Sequence, residues 1–436
     1  MSAQNQQQGQ QTATPPKGIG PMQRREMRLA YLMLAPTFAI IMLIVAGPLL
    51  ANFWISFKPV QLGDLRPPTV LVNERVRGNP EAPGDAATLE YRLRNSSREE
   101  VIRNVVITDE IPVGFNVTSV PDICSLDGQS LTCAVGTVEP GWRDRLRIEG
   151  SVSEAFISAH RPERASTPVV DGDAKNVLTN FEFTLDNFSR IFDSDEFWSV
   201  LRVTFYYTIF GTAGALVLGL FAAQLLNTVF VGRSFLRGLF LFPYVSPVIA
   251  VAFTWVVLFD PFSGTLNALL TKMGVVADPI NFFGQRAVDF TLFGIPFEFP
   301  LALSTVIAFE AWRYFPLSFL FILARMQSIN TDMYEAAEMD GATPLQQFWY
   351  LSLPQLMGIL SVLFLLRFIW TFNKFDDIFL LTGGNAGTRT LTVDVYEQGF
   401  ALSNLGAGAA VAVVVFVVLV TFATIFLRFS PKEEGL

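Results

Sequence analysis

Few of the 436 residues have the types and spacing that covalent chemistry needs. There are two cysteines, Cys124 and Cys133, and one histidine, His160. No cluster has metal-ligand spacing, no G-x-S-x-G turn occurs, and no lysine follows a glycine as a phosphate cradle requires. These absences argue against an enzyme and put catalytic residues, metal and cofactors at none. Any ATP hydrolysis must then come from another chain. The chemistry left is electrostatic. Glu310 and Arg313 stand three apart in one apolar segment, Arg367 lies in another, and Lys374 lies near its end. Charges inside a membrane span are costly, and face a cavity or pair with one another. Three apart on a helix is one face, so Glu310 and Arg313 either form a structural pair or line a path.

A second concentration of signals is the stretch 335–354, EAAEMDGATPLQQFWYLSLP. Asn330, Thr331 or Asp332 caps a short helix running through Asp340. Gly341 follows, where helices commonly end in a left-handed residue. Thr343 caps a second helix, with Pro344 at its first position and Gln346 closing a capping box. Pro354 is expected to stop that helix before the next apolar run. On these residues alone, an ordinary amphipathic connector is as good a reading as a docking element.

The elements that must position these residues are membrane helices. Apolar residues make up 51% of the chain and charged residues only 16%, against about a quarter in soluble domains. The net charge of −8 says little, because most charge lies within about 72–196, a stretch with no span. Six apolar segments approach the roughly 20 residues that cross a hydrocarbon core. They are about 29–57, 197–226, 236–259, 300–323, 355–373 and 405–427. Gly406, Gly408 and Ala409 in the last suit close helix packing. The first follows Lys17, Arg24, Arg25 and Arg28, but is too long for a signal peptide and lacks a cleavage site. Residues 1–28, polar and low in complexity at their start, are expected to be a disordered cytoplasmic N-terminus. Lys/Arg bias places both termini and the 330–354 loop in the cytoplasm: Arg233, Arg237, Arg325, Arg428 and Lys432 fall on that side.

Residues 58–180 are expected to form an extracytoplasmic β-domain with linkers. Leu89, Tyr91 and Leu93 alternate with charged residues, as do Leu146 and Ile148. Turn signals recur at Gly78-Asn79-Pro80, Pro83-Gly84, Asp127-Gly128 and Pro140-Gly141. This predicts a small antiparallel β-sandwich. Its run NSSREEVIRNVVITDEIPVGFNVTSV resembles immunoglobulin-like bacterial extracytoplasmic domains. Cys124 and Cys133 flank Asp127-Gly128 and either staple a hairpin or stay free thiols; outside the membrane, disulfides persist. The return segment, about 156–180, reads as a flexible linker carrying His160.

The pattern Glu335-Ala336-Ala337, Gly341, then Leu353-Pro354 resembles the EAA loop of permease subunits in binding-protein-dependent ABC importers. Leu351 stands where isoleucine is typical. Residues 241–270 and 372–400 resemble sugar-type permeases of the maltose kind, so 181–430 is expected to be a permease core with five further spans. The β-domain lies outside this resemblance, and an insertion after the first span departs from the family pattern. The fold class expected is an α-helical polytopic membrane protein of six transmembrane helices with an inserted extracytoplasmic β-sandwich.

The resemblance implies that Glu335, Ala336, Ala337, Asp340, Gly341, Leu353 and Pro354 dock on a separate ATPase. It places the substrate pathway on the helices that hold Arg313, Tyr314 and Leu317 and that hold Trp370, Thr371 and Asn373; Arg367 and Lys374 join the expected pathway as charges in or beside a span. Trp312 and Trp370 are equally suited to anchor at the lipid interface. It implies a second permease, two ATPase subunits and an extracytoplasmic substrate-binding protein, in a bacterial or archaeal inner membrane, with membrane lipid around it and no nucleic acid. The substrate expected is an oligosaccharide, an α-glucoside such as maltose or trehalose. Alternatives are glycerol-phosphate or a polyol, and, less favoured, a membrane scaffold or enzyme.

Overall fold

The computed structural model describes residues 21–97, 100–158, 167–292 and 295–429. Lys17, His160, Lys432 and most of the expected disordered N-terminus lie outside the described residues. The chain divides into two units, residues 1–53 and 54–436. The first unit carries α1 (Pro21–Ile41), one π turn (Met42–Ala46) and most of α2 (Gly47–Ser56).

The second unit begins with a β-domain. Its strands are β1 (Val70–Arg77), β2 (Ala86–Asn95), β3 (Ile102–Glu110), β4 (Phe115–Ser119), β5 (Cys124–Asp127), β6 (Ser130–Val138), β7 (Arg143–Val152) and β8 (Val169–Ala174). They form two antiparallel sheets, ordered β1-β2-β7-β4 and β5-β6-β3-β8. Alternation drives this arrangement. Leu89, Tyr91, Leu93, Leu146 and Ile148 from one sheet share a buried core with Ile102, Val105, Ile107, Leu131 and Val138 from the other. The turn glycines Gly78, Gly84, Gly128 and Gly141 all take positive φ, between +62° and +99°. Cys124 and Cys133 face each other across the β5–β6 hairpin and are disulfide-bonded. Glu90 points outward from β2 yet is fully covered by Arg77 (3.0 Å), Arg92 (2.9 Å) and Arg147 (3.4 Å).

The flexible-linker reading of 156–180 fails at residues 169–174. These form β8, which pairs with β3. The strand is a sheet edge carrying Asp171, Gly172 and Asp173. Acidic, short edge strands resist further pairing, and their composition mimics a turn.

Below β8 the two ends of the domain are tied together. The buried Lys58 ammonium donates to the Val177 carbonyl (3.0 Å), the Asn180 carbonyl (2.5 Å) and Asn180 Oδ1 (2.7 Å). Trp54 Nε1 donates to the Leu178 carbonyl at 2.7 Å. Asn187 Nδ2 donates to the Ser56 and Lys58 carbonyls, and the Gly406 amide to the Val60 carbonyl at 2.8 Å. Gly406 therefore packs on this stem, and Gly408 on the backbone of Gly399.

The helical part includes α3 (Asp195–Asn227), α4 (Arg233–Val245), α5 (Val248–Leu258), α6 (Leu301–Gln327), α7 (Thr331–Met339), α8 (Pro344–Phe372), α9 (Asp376–Thr382) and α10 (Leu405–Phe429), with shorter helices at Asp186–Phe192, Thr265–Lys272 and Leu391–Tyr396. Over the whole chain five helices among the described residues are long and apolar enough to cross a membrane: Arg24–Ser56, α3, α6, α8 and α10. The segment 236–259, expected as one span, lies in two helices, α4 and α5, that meet at 92°. Pro247 causes the break, since a proline disfavours helical geometry in the residue before it; Ser246 is extended, with φ −67° and ψ 144°. Close packing of α3 on α6 rests on small residues. A Cβ on Gly211, Gly214 or Gly219 would lie 2.6–2.8 Å from Glu310, Ala311 or Ser318.

Candidate functional site: an exposed loop and a buried charge hub

The 330–354 loop folds largely as its local signals dictate. Asn330 Oδ1 accepts the Asp332 amide at 3.0 Å and caps α7. Gly341 takes φ +82°, with nothing within 4 Å of an added Cβ. Thr343 and Gln346 complete the capping box: the Thr343 amide donates to Gln346 Oε1 at 2.8 Å. Glu335, Ala336, Asp340, Gly341 and Pro354 are exposed, while Ala337 and Leu353 are half-buried. Met339, Leu345, Trp349 and Tyr350 also stand in the open.

One expectation is overturned. Pro354 does not stop the helix; α8 runs from Pro344 to Phe372 without interruption. The chain widens into one π turn at Phe348–Ser352, where the Leu353 amide donates to the Phe348 carbonyl. A π turn reassigns carbonyls just where the proline ring removes an N–H, so the helix passes through.

The second site lies among α3, α6, α8 and α9. Glu310 is fully buried, and its carboxylate accepts three donors. Arg367 Nη2 and Thr371 Oγ1 reach Oε1 at 2.5 and 2.9 Å, and the Tyr207 hydroxyl reaches Oε2 at 2.9 Å. The Glu310–Arg313 pairing is therefore not formed. Arg313 turns toward the α4–α5 break, donating to the carbonyls of Pro243 (3.4 Å) and Ser246 (3.2 Å). Buried backbone groups freed by a helix break need partners, and this guanidinium supplies them. It also stands 3.9 Å from Asp377, a fully buried carboxylate on α9, which Lys374 approaches at 3.7 Å. The Tyr314 ring lies under the cations of Arg367 (4.4 Å), Lys374 (4.5 Å) and Arg313 (5.5 Å).

Of the expected pathway residues, the structure gathers Arg313, Tyr314, Arg367, Thr371 and Lys374 into this hub. Leu317 lies half-buried elsewhere on α6. Trp370 is 48% exposed, and Asn373 is exposed and donates to the Ile369 carbonyl at 2.8 Å. Tyr207 and Asp377 escaped the sequence reading. The signal for Asp377 was an acid pair, Asp376-Asp377, following directly on a span; a lone tyrosine inside a span gave none. The hub holds paired charge and no nucleophile–base set. Among the described residues no group of His, Cys, Asp or Glu could hold a metal.

Long apolar helices, a buried network of opposite charges and an exposed loop between two spans define a membrane permease, a transport component rather than an enzyme. Solved structures share the fold. A bacterial ABC transporter involved in import of the acidic polysaccharide alginate superposes with a TM-score of 0.52 at 20% identity, over 59% of this chain and 86% of that one. Residues 215–432 match the family described as binding-protein-dependent transport system inner membrane component, and the chain belongs to it. It is 37% identical to the inner membrane ABC transporter permease protein YcjO of Escherichia coli, over 56% of this chain and 77% of that protein. It is 32% identical to the trehalose/maltose transport system permease protein MalF of Thermococcus litoralis, over 56% and 78%. It is 30% identical to the sn-glycerol-3-phosphate transport system permease protein UgpA of Agrobacterium fabrum, over 60% and 84%.

Proposed function

We propose that this chain is a permease subunit of an ATP-driven carbohydrate importer, forming the translocation pathway together with a second, related permease. Two ATPase subunits drive it, and an extracytoplasmic substrate-binding protein delivers the solute. The observation that carries the reading is the exposed helix–turn–helix at 330–354, poised by Gly341 and the Thr343 cap between two long apolar helices. In this reading α4 and α5 together make a sixth span, both termini and the 330–354 loop are cytoplasmic, and the β-domain is an immunoglobulin-like insertion on the outer side. Glu335, Ala336, Ala337, Asp340, Gly341, Leu353 and Pro354 dock on the ATPase. Arg313, Tyr314, Arg367, Thr371 and Lys374 set the charge along the pathway, with Leu317, Trp370 and Asn373 on its walls.

The relative named for trehalose and maltose favours an α-glucoside as substrate. A glycerol-phosphate is the second reading, supported by the relative named for that solute. Reconstituting the complex in proteoliposomes and measuring ATPase stimulation by maltose, trehalose and glycerol-3-phosphate separates the two. Stimulation by an α-glucoside alone supports the first reading. Stimulation by none, in a complex that still hydrolyses ATP, refutes both.

A further inference from the structure

The outward face of the β1-β2-β7 sheet is a lattice of arginines. Register places Leu71, Arg94 and Arg143 in one row across the three strands, and Asn73, Arg92 and Arg145 in the next. Arg94 is thus directly opposite Arg143, and Arg92 opposite Arg145. Like charges directly opposite one another destabilise a sheet, so this arrangement carries a cost. Further along, Glu90 neutralises the lattice by pairing with Arg77, Arg92 and Arg147. Arg94, Arg143 and Arg145 are exposed and have no carboxylate partner among the described residues. The adjacent Asp144 accepts the Arg145 backbone amide at 2.7 Å.

The uncompensated arginines lie at one particular end of the domain. Val70 pairs with Asn95 and Ala174 with Ile102, so both chain ends leave from the pole that holds Arg94 and Arg143. That pole connects to the stem, and the stem is hydrogen-bonded to Gly406 at the start of the apolar helix α10. Around the stem Leu65, Phe181 and Phe183 are 54%, 82% and 55% exposed, and Leu71 in the arginine row is 46% exposed. No lysine occurs between Lys58 and Lys175; every cation of the domain is a guanidinium, the group whose planar fork matches phosphate oxygens.

We propose that the stem-side end of this sheet, through Arg94, Arg143 and Arg145, rests on the phosphates of anionic phospholipids in the adjoining leaflet, with Leu71 and Phe183 at headgroup depth. Exposed apolar side chains beside uncompensated arginines are the combination that a charged lipid surface satisfies.

The test uses the full chain in nanodiscs, with a spin label on Leu71→Cys, the native cysteines being bonded to each other. In discs containing phosphatidylglycerol, collisions of the label with a water-soluble nickel chelate should fall severalfold relative to pure phosphatidylcholine. High salt should reverse the effect, because it screens exposed charge. Arg94→Gln/Arg143→Gln/Arg145→Gln should abolish the difference, while the corresponding lysine variant keeps most of it. Equal accessibility in both lipids would overturn the proposal. So would a glutamine variant that behaves like the parent, or shielding that arises only when an acidic protein is added.

Discussion

At Glu310 one carboxylate serves three donors from two other helices, and its removal strands all of them. Breaking a buried ion pair by deleting one partner costs about 3–5 kcal/mol, because the other charge stays buried. Glu310→Ala should therefore lower the thermal unfolding midpoint in detergent and reduce membrane levels. Adding Arg367→Met to it should restore part of the loss; an additive double variant would show that the two do not act as a unit. Gly341 makes the opposite case. Its surroundings are open, so Gly341→Val meets only the backbone penalty of a β-branched residue at positive φ. Uptake should fail while membrane insertion is unchanged, measured by transport assay and co-purification of the ATPase; normal uptake with normal association would refute a docking role. In the β-domain the Glu90 carboxyl is held below the usual carboxylate range, chiefly by the Arg92 hydrogen bond and then by the charges of Arg77 and Arg92. A depressed folded value means this contribution is complete above the unfolded pKa of ~4.3 and is lost as pH falls through the folded one. Unfolding of the domain followed from pH 7 to pH 3 should steepen at the acid end, and Glu90→Gln should flatten that loss. The residues whose roles were legible in the sequence, Asn330, Gly341, Thr343 and Gln346, act on neighbours two to four positions away. Glu310 finds Arg367 57 positions along the chain, and only helix packing decides that pairing.

Proline shows how differently one residue type acts on different elements. Pro247 separates two helices that meet at 92°, and Arg313 occupies carbonyls left there. Pro354 leaves its helix unbroken because a π turn precedes it, and Pro316 lies inside α6, which continues past it. Of the three, only Pro354 was expected from the sequence to stop a helix, and it is one that does not. Which of them bends depends on whether the carbonyls released find other donors, and those donors come from distant helices. Strands were legible where alternation placed apolar side chains in a core, as at Leu89, Tyr91 and Leu93. The edge strand β8 was hidden because it contributes little to that core and reads Asp-Gly-Asp in its middle.

In the whole molecule, the stem joins two parts with different physics: a pair of sheets, one of them carrying a disulfide within its β5–β6 hairpin, and a set of apolar helices. The side-chain hydrogen bonds of Lys58 and Trp54 fall outside residues 66–175. Replacing 66–175 with a short Gly/Ser linker should therefore leave membrane insertion and ATPase association intact, measured by detergent extraction and co-purification, since chain ends that lie close tolerate such exchange. Failure of the shortened protein to assemble would make the β-domain part of the permease core. Lys58→Met in the full chain should loosen the stem, read as faster amide exchange at 177–183.

The same lysine sets a clock on biogenesis. Lys58 leaves the ribosome 122 residues ahead of the Asn180 carbonyl that accepts its hydrogen bond. At 5–20 residues per second that interval is about 6–24 s. Throughout it the nascent domain is tethered at one end only; β1 to β7 have time to pair, while β8, at residues 169–174, arrives only just before the residues that close the stem.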